Sequence, residues 1–220
     1  MSFRAIIFDL DGVIVHTDEF HYLGWKKLAD RMGIYFDKQI NNRCRGVSRM
    51  ESLDILLEKS LKSYTAKEKK ALAEEKNLYY REFLNEMTAA DITDDVRETL
   101  NYLKNIGYKL AIGSSSKNAR IILSKVGLDS FFHAVADGSD ISHSKPNPEV
   151  FLLAAERLGE LPKRCIVVED AASGIEAGKQ GGMTTVAIGA AVETAIADYS
   201  ISNLSQLLTL SFIGGGNSGR

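Results

Sequence analysis

"AIIFDLDGVIVHTDEFH", Ala5 to His21, decides the fold: an apolar run of the length of one buried strand ends directly in two acids, Asp9 and Asp11. Side chains alternate along a strand, so the two carboxylates are expected on one side. An ionised carboxylate taken out of water is costly even after relaxation, and a pair at a strand end therefore demands a cation or a shared proton. The compensating groups must come from elsewhere in the chain.

Five more runs have the look of buried strands: "YKLAIGSS" (108–115), "HAVAD" (133–137), "CIVVED" (165–170), "TTVAIG" (184–189) and, more weakly, "DYSIS" (198–202). Helical patterns separate most of them. "DDVRETLNYLKNIG" spaces Val96, Leu100, Leu103 and Ile106 along one helix face before Gly107. "NPEVFLLAAERLG" reads as a helix with Asn147 as cap, Pro148 in its first turn and Gly159 at its end. Strands alternating with helices imply an α/β fold, a Rossmann-like three-layer core with a parallel sheet covered on both faces. The stretch from Thr17 to Met87 contains no convincing strand and reads as three or four helices, two of them opened by the capping boxes Ser48/Glu51 and Thr65/Glu68. The expected organisation is a catalytic core of residues 1–16 and 88–220 with a helical cap, 17–87, inserted after the acidic strand. The Gly-rich tail 214–220 is expected to be disordered.

With 220 residues, 45% of them hydrophobic, the chain can bury one core carrying an insert. A net charge of −2 supplies no field to draw in nucleic acid or an anionic membrane, and neither is expected as a partner. No apolar run approaches the ~18 residues of a membrane span. "MSFRAIIFDLDG" reaches Asp9 too early for the apolar stretch of an export signal, so a cytoplasmic, monomeric enzyme is expected. Cys165 lies in an apolar run as a small buried hydrophobe, and no disulfide with Cys44 is expected.

Ligands of open parallel sheets bind outside the carboxyl ends of the strands. Four groups fall there in succession. Asp9 and Asp11 end the first strand; Ser114, Ser115 and Ser116 follow the second, offering hydroxyls and amides before a helix that starts near Lys117. Lys145 precedes a Pro-started helix as a point cation, and Glu169 with Asp170 closes the fourth strand with hard oxygen ligands. No G-x-G-x-x-G follows the first strand, which argues against a dinucleotide site.

"DLDG", "GSS", Lys145 and "VVEDA" together resemble the signatures of the haloacid-dehalogenase-like phosphotransferases, in order and over most of the chain. The resemblance implies that Asp9 attacks phosphorus to form an aspartyl-phosphate and that Asp11 serves as general acid and base. It also implies Mg²⁺ held by Asp9, the backbone carbonyl of Asp11, Glu169 and Asp170. Within the insert, "FHYLGW" (His21, Trp25), "RGVSRMESL" (Gly46, Val47, Ser48, Arg49) and "EEKN" (Lys76) resemble the cap of the β-phosphoglucomutase family, with Lys117 and Asn118 of "SSSKN" in the core. Arg49 is then expected to hold a distal phosphate, Ser116, Lys117 and Asn118 to contact the sugar phosphate, and His21 with Lys76 to couple cap closure to Asp11. Arg45, where that family usually has Lys, keeps the charge and changes its geometry. The expected substrates are small sugar phosphates. A sugar-phosphate phosphatase with the same core residues is the alternative, and a non-catalytic phosphosugar-binding module a more distant one.

Overall fold

The structure, a computed structural model, describes residues 2–44 and 47–213; Arg45, Gly46 and the tail 214–220, on which expectations fell above, lie outside the described residues. Six strands form one parallel sheet: β1 (Ala5–Phe8), β2 (Lys109–Gly113), β3 (Ala134–Ala136), β4 (Cys165–Glu169), β5 (Thr184–Ala187) and β6 (Tyr199–Ser200). Their order is β3-β2-β1-β4-β5-β6, the Rossmann order, so the connections reverse direction between β1 and β4.

The apolar runs are continuous because the sheet is buried on both faces. Ile6, Phe8, Leu110, Ile112, Ile166 and Val168 turn into one cluster, while Ala5, Ile7, Ala111, Cys165 and Val167 turn into the other. Helices α5 (Asp94–Asn105) and α6 (Ala119–Lys125) add apolar residues to the first cluster, including Leu100, Leu103 and Ile122. Helices α7 (Glu149–Leu158) and α8 (Ala172–Gln180) cover the second with Phe151, Ala154 and Ala177.

Between β1 and α5 run four helices: α1 (Asp18–Met32), α2 (Lys38–Asn42), α3 (Arg49–Leu57) and α4 (Ala66–Leu84). Ser48 and Glu51 form the expected capping box of α3, as do Thr65 and Glu68 for α4. These helices have a small core of their own, built on Trp25, Leu28, Phe36, Leu53, Leu56 and Ala73. Helix α4 also reaches into the sheet cluster through Tyr80 and Leu84.

Three local readings need correction. Strand β1 stops at Phe8, and the chain bends at Leu10, whose carbonyl accepts from the amides of both Ile14 and Val15; strand alternation therefore does not place Asp11. Helix α7 starts one residue later than read, with Pro148 at the cap position and Asn147 Oδ1 accepting from the Glu149 amide at 3.0 Å. Helix α6 starts at Ala119, two residues past Lys117, and the amide of Asn118 just before it is taken up by Ser116 Oγ, 3.2 Å away.

Gly113, at the end of β2, shows how tightly the sheet and its cover are matched. A Cβ there would come within 2.7 Å of Phe151 Cδ1 and 3.1 Å of Ile7 Cγ2. The Phe151 ring in turn lies 4.5 Å from the Lys145 ammonium, so the absent side chain of Gly113 helps set the height of a charge at the strand ends. Gly113→Ala is expected to lower stability by about 1–3 kcal/mol in urea unfolding, because an aromatic ring in a filled core has to move. A midpoint equal to that of the parent chain contradicts this account.

Candidate active site

A cavity of about 1190 Å³ opens above the carboxyl ends of β1, β2 and β4 and is roofed by α1, α3 and α4. Asp9, Asp11, His21, Trp25, Val47, Ser48, Arg49, Lys76, Ser114, Ser115, Ser116, Lys117, Asn118, Lys145, Glu169 and Asp170 all line it. Every candidate residue within the described part of the chain therefore faces one space.

At its floor, Lys145 Nζ lies 2.5 Å from Asp9 Oδ1 and 2.7 Å from Glu169 Oε1. All three side chains are at most 10% exposed. Burial pushes the Asp9 carboxyl well above the ordinary carboxylate range; Lys145 pulls it down, while Glu169, Asp11 and Asp170 push it further up. Burial works against the Lys145 charge, yet Asp9 and Glu169 hold its pKa above that of a free lysine. One ammonium thus serves several carboxylates. Asp11 is turned the other way, accepting a hydrogen bond from the Thr17 hydroxyl. Its pKa is raised by burial first; the Thr17 bond opposes this and Asp18 adds to it, so the neighbouring acid that matters most is Asp18 rather than Asp9.

The serine loop after β2 is only partly an open cradle. Ser114 Oγ accepts from the Ser116 amide at 3.1 Å, and Ser116 Oγ accepts from the Asn118 amide, so two of the expected free donors are used locally. Among the described residues, the amides of Ser115 and Lys117 carry no hydrogen bond. The Lys145 loop packs against this one backbone to backbone: a Cβ on Gly138 would sit 2.2 Å from the Ser115 carbonyl oxygen.

On the helical side, Lys76 is 3% exposed and its ammonium lies 3.0 Å from His21 Nδ1. It is also stacked 4.7 Å from the Trp25 ring and 4.6 Å from Tyr80. Burial and then Arg49 bring the Lys76 pKa down to about 7. His21 is depressed well below the usual imidazole value by burial, then by Lys76 and Arg49. Arg49 opens α3, and its guanidinium lies 3.2 Å from Glu74 Oε1. Ser48 spends its hydroxyl and its amide on the capping box. Asn118, reaching up from the core, donates to Asn77 Oδ1 of α4 at 2.9 Å.

The model of haloacid dehalogenase-like hydrolases matches residues 3–182. The chain belongs to the haloacid dehalogenase-like hydrolase family. It is an enzyme of that family, 38% identical over 206 residues to the beta-phosphoglucomutase of Bacillus subtilis, covering 93% of this chain and 91% of that protein. A phosphorylated carbohydrates phosphatase of Thermotoga maritima is 32% identical and covers 83% of each chain. Among solved structures, a beta-phosphoglucomutase from Clostridium difficile superposes with a TM-score of 0.86 at 39% identity, covering 93% of both chains.

Membership raises the question of a metal. Among the described residues no three His, Cys, Asp or Glu side chains are gathered into a ready-made ligand cluster. Mg²⁺ does not need one, since it takes one or two carboxylates together with carbonyl, phosphate and water oxygens. The residues present fit that pattern, because Asp9, Glu169 and Asp170 bring more negative charge than Lys145 neutralises. The acids are also seated on glycine: a Cβ on Gly12 would fall 2.2 Å from Asp170 Oδ2, and one on Gly174 1.8 Å from Glu169 Oε1.

The sequence reading missed Thr17, Glu74, Asn77 and Tyr80, all of which touch candidate residues. Tyr80 alone had a usable signal, since it lies one helical turn after Lys76.

The folded chain releases the Lys76 proton near pH 7, whereas an unfolded lysine keeps it to much higher pH. Between those values the unfolded state binds the extra proton, so stability should rise with pH. Lys76→Met is expected to remove that part of the rise between about pH 7 and pH 9, read as the pH dependence of urea midpoints. Parallel curves for the two proteins contradict the assignment.

Proposed function

We propose that the chain interconverts β-D-glucose 1-phosphate and glucose 6-phosphate, as a Mg²⁺-dependent, monomeric cytoplasmic phosphomutase working through an aspartyl-phosphate on Asp9 and a glucose 1,6-bisphosphate intermediate. The observation that carries this reading is the pairing of two cationic stations in one cavity: Lys145 beside Asp9 on the floor and Arg49 at the head of α3 in the roof. A bisphosphate has one anionic group for each, and a hydrolase of small esters has no use for the second. The 38% identity to a beta-phosphoglucomutase supports the same reading.

In this reading, phosphorylated Asp9 gives its phosphoryl group to the 6-hydroxyl of glucose 1-phosphate, and Asp11 takes the hydroxyl proton. The bisphosphate then turns end for end, its 1-phosphoryl group passes back to Asp9, and Asp11 returns the proton to the departing oxygen. Burial already raises the Asp11 pKa, which suits a group that must hold a proton and give it up. Mg²⁺, when bound by Asp9, the Asp11 carbonyl, Glu169 and Asp170, supplies the charge neutralisation that lets an anionic carboxylate approach an anionic phosphoryl group. Lys145 holds the Asp9 carboxylate in place. Residues 17–87 act as a cap that closes over the cavity and keeps water from the aspartyl-phosphate, with His21 and Lys76 linking closure to Asp11.

The test mixes the protein with Mg²⁺, β-glucose 1-phosphate and a trace of glucose 1,6-bisphosphate, and follows glucose 6-phosphate and free phosphate in parallel. Isomerisation far exceeding phosphate release is expected; phosphate release at a comparable rate favours the phosphatase reading, to which the 32% identity with the Thermotoga phosphatase lends weight. Asp9→Asn is expected to abolish turnover, and Asp11→Asn to cost at least about 10²–10⁴-fold in kcat. Arg49→Ala is expected to damage isomerisation much more than hydrolysis of p-nitrophenyl phosphate, which has no distal group; equal losses in the two assays contradict the distal site.

A further inference from the structure

The Arg49 guanidinium already faces a carboxylate. Glu74, on the middle of α4, lies 3.2 Å from it, and the two side chains differ in freedom: Arg49 is 21% exposed and Glu74 62%. Burial fixes the cation while its partner can swing into solvent. Both line the cavity, and so does Lys70, four residues earlier on the same helix. Residues at that spacing are neighbours on a helix surface. Among the described residues, Lys70 carries no ion pair. Glu74 therefore has a second cation within reach when it leaves the first.

An anion arriving at Arg49 must displace Glu74 or share the guanidinium with it, and sharing brings like charges together. Either way the anion is held less tightly than Arg49 alone would hold it. For a phosphomutase this weakening is useful: an intermediate that has to let go and turn round gains nothing from tight ground-state binding. We propose that Glu74 is a specificity-determining counter-charge, which occupies Arg49 between turnovers, yields it to the distal phosphate of a sugar bisphosphate, and keeps that phosphate weakly enough bound to be released for reorientation. The proposal rests on the reading of Arg49 as the distal-phosphate group. An ion pair with one partner open to solvent contributes little, so the effect of Glu74 is a modest multiple rather than an on–off switch.

Calorimetric titration of glucose 1,6-bisphosphate into the Asp9→Asn chain, which binds without turnover, provides the test. Glu74→Gln is expected to tighten binding by about two- to fivefold. The gain should shrink in high salt, where charges exposed to solvent are screened, and it should vanish when Arg49 is already Ala. With Asp9 restored, Glu74→Gln is expected to lower both KM for β-glucose 1-phosphate and kcat, since release becomes slower. Unchanged affinity, or equal tightening in the Arg49→Ala background, overturns the role of Glu74 and leaves that of Arg49 standing. If Arg49→Ala binds the bisphosphate as tightly as its parent, the distal-phosphate reading falls and the proposal falls with it.

Discussion

Several buried carboxylates share one buried ammonium at the bottom of a cavity, and much of this molecule exists to make that tolerable. Lys145 bridges Asp9 and Glu169 directly, and glycine backbone at positions 12 and 174 lets Asp170 and Glu169 settle where any side chain would collide. Burial first, and then the neighbouring carboxylates, drive the Asp9 carboxyl upward in spite of its lysine. A site with surplus negative charge and hard oxygen donors suits a small divalent cation and, through it, a phosphoryl group.

The sheet brings these groups together by topology rather than by sequence proximity. Parallel strands all present their carboxyl ends on one edge, and the reversal between β1 and β4 opens a crevice there. Asp9, Ser114 and Glu169 are far apart along the chain but stand at the carboxyl ends of three adjacent strands. The helices between β1 and β2 lower a second set of groups, His21, Arg49 and Lys76, onto the same crevice.

The sheet was legible in the sequence because burial on both faces leaves uninterrupted apolar runs, and runs such as "CIVVED" end in the residues that do chemistry. The capping boxes at Ser48 and Thr65 were legible for a different reason, since they are local hydrogen-bond patterns written within four residues. Readings that extrapolated a regular pattern past its end went astray. Period-two alternation was carried through Leu10, where the backbone bends, and the loop amides were all taken as open although those of Ser116 and Asn118 are capped by the hydroxyls two residues earlier. Glu74 and Asn77 were illegible because each acquires its meaning from a partner on another element, Arg49 on α3 and Asn118 at the head of α6. On α4 itself Glu74 belongs to the charged stretch "KEKKALAEEK" (67–76), which by itself reads as a solvated face, and Asn77 directly follows it.

Helix α4 belongs to two hydrophobic clusters: Ala73 lies in that of the helices around Trp25, while Tyr80 and Leu84, at its C-terminal end, lie in the sheet cluster that also holds Val13 and Ile14. The boundary between the two layers consequently passes through a helix instead of through the linkers on either side of it. Chimeras that exchange residues 17–87 between relatives would leave the incoming helix to seat its lower turns on foreign neighbours, so a sound exchange has to bring the turn containing Val13 and Ile14 along. The helical layer in this architecture is exchangeable only together with the turn that follows Asp11.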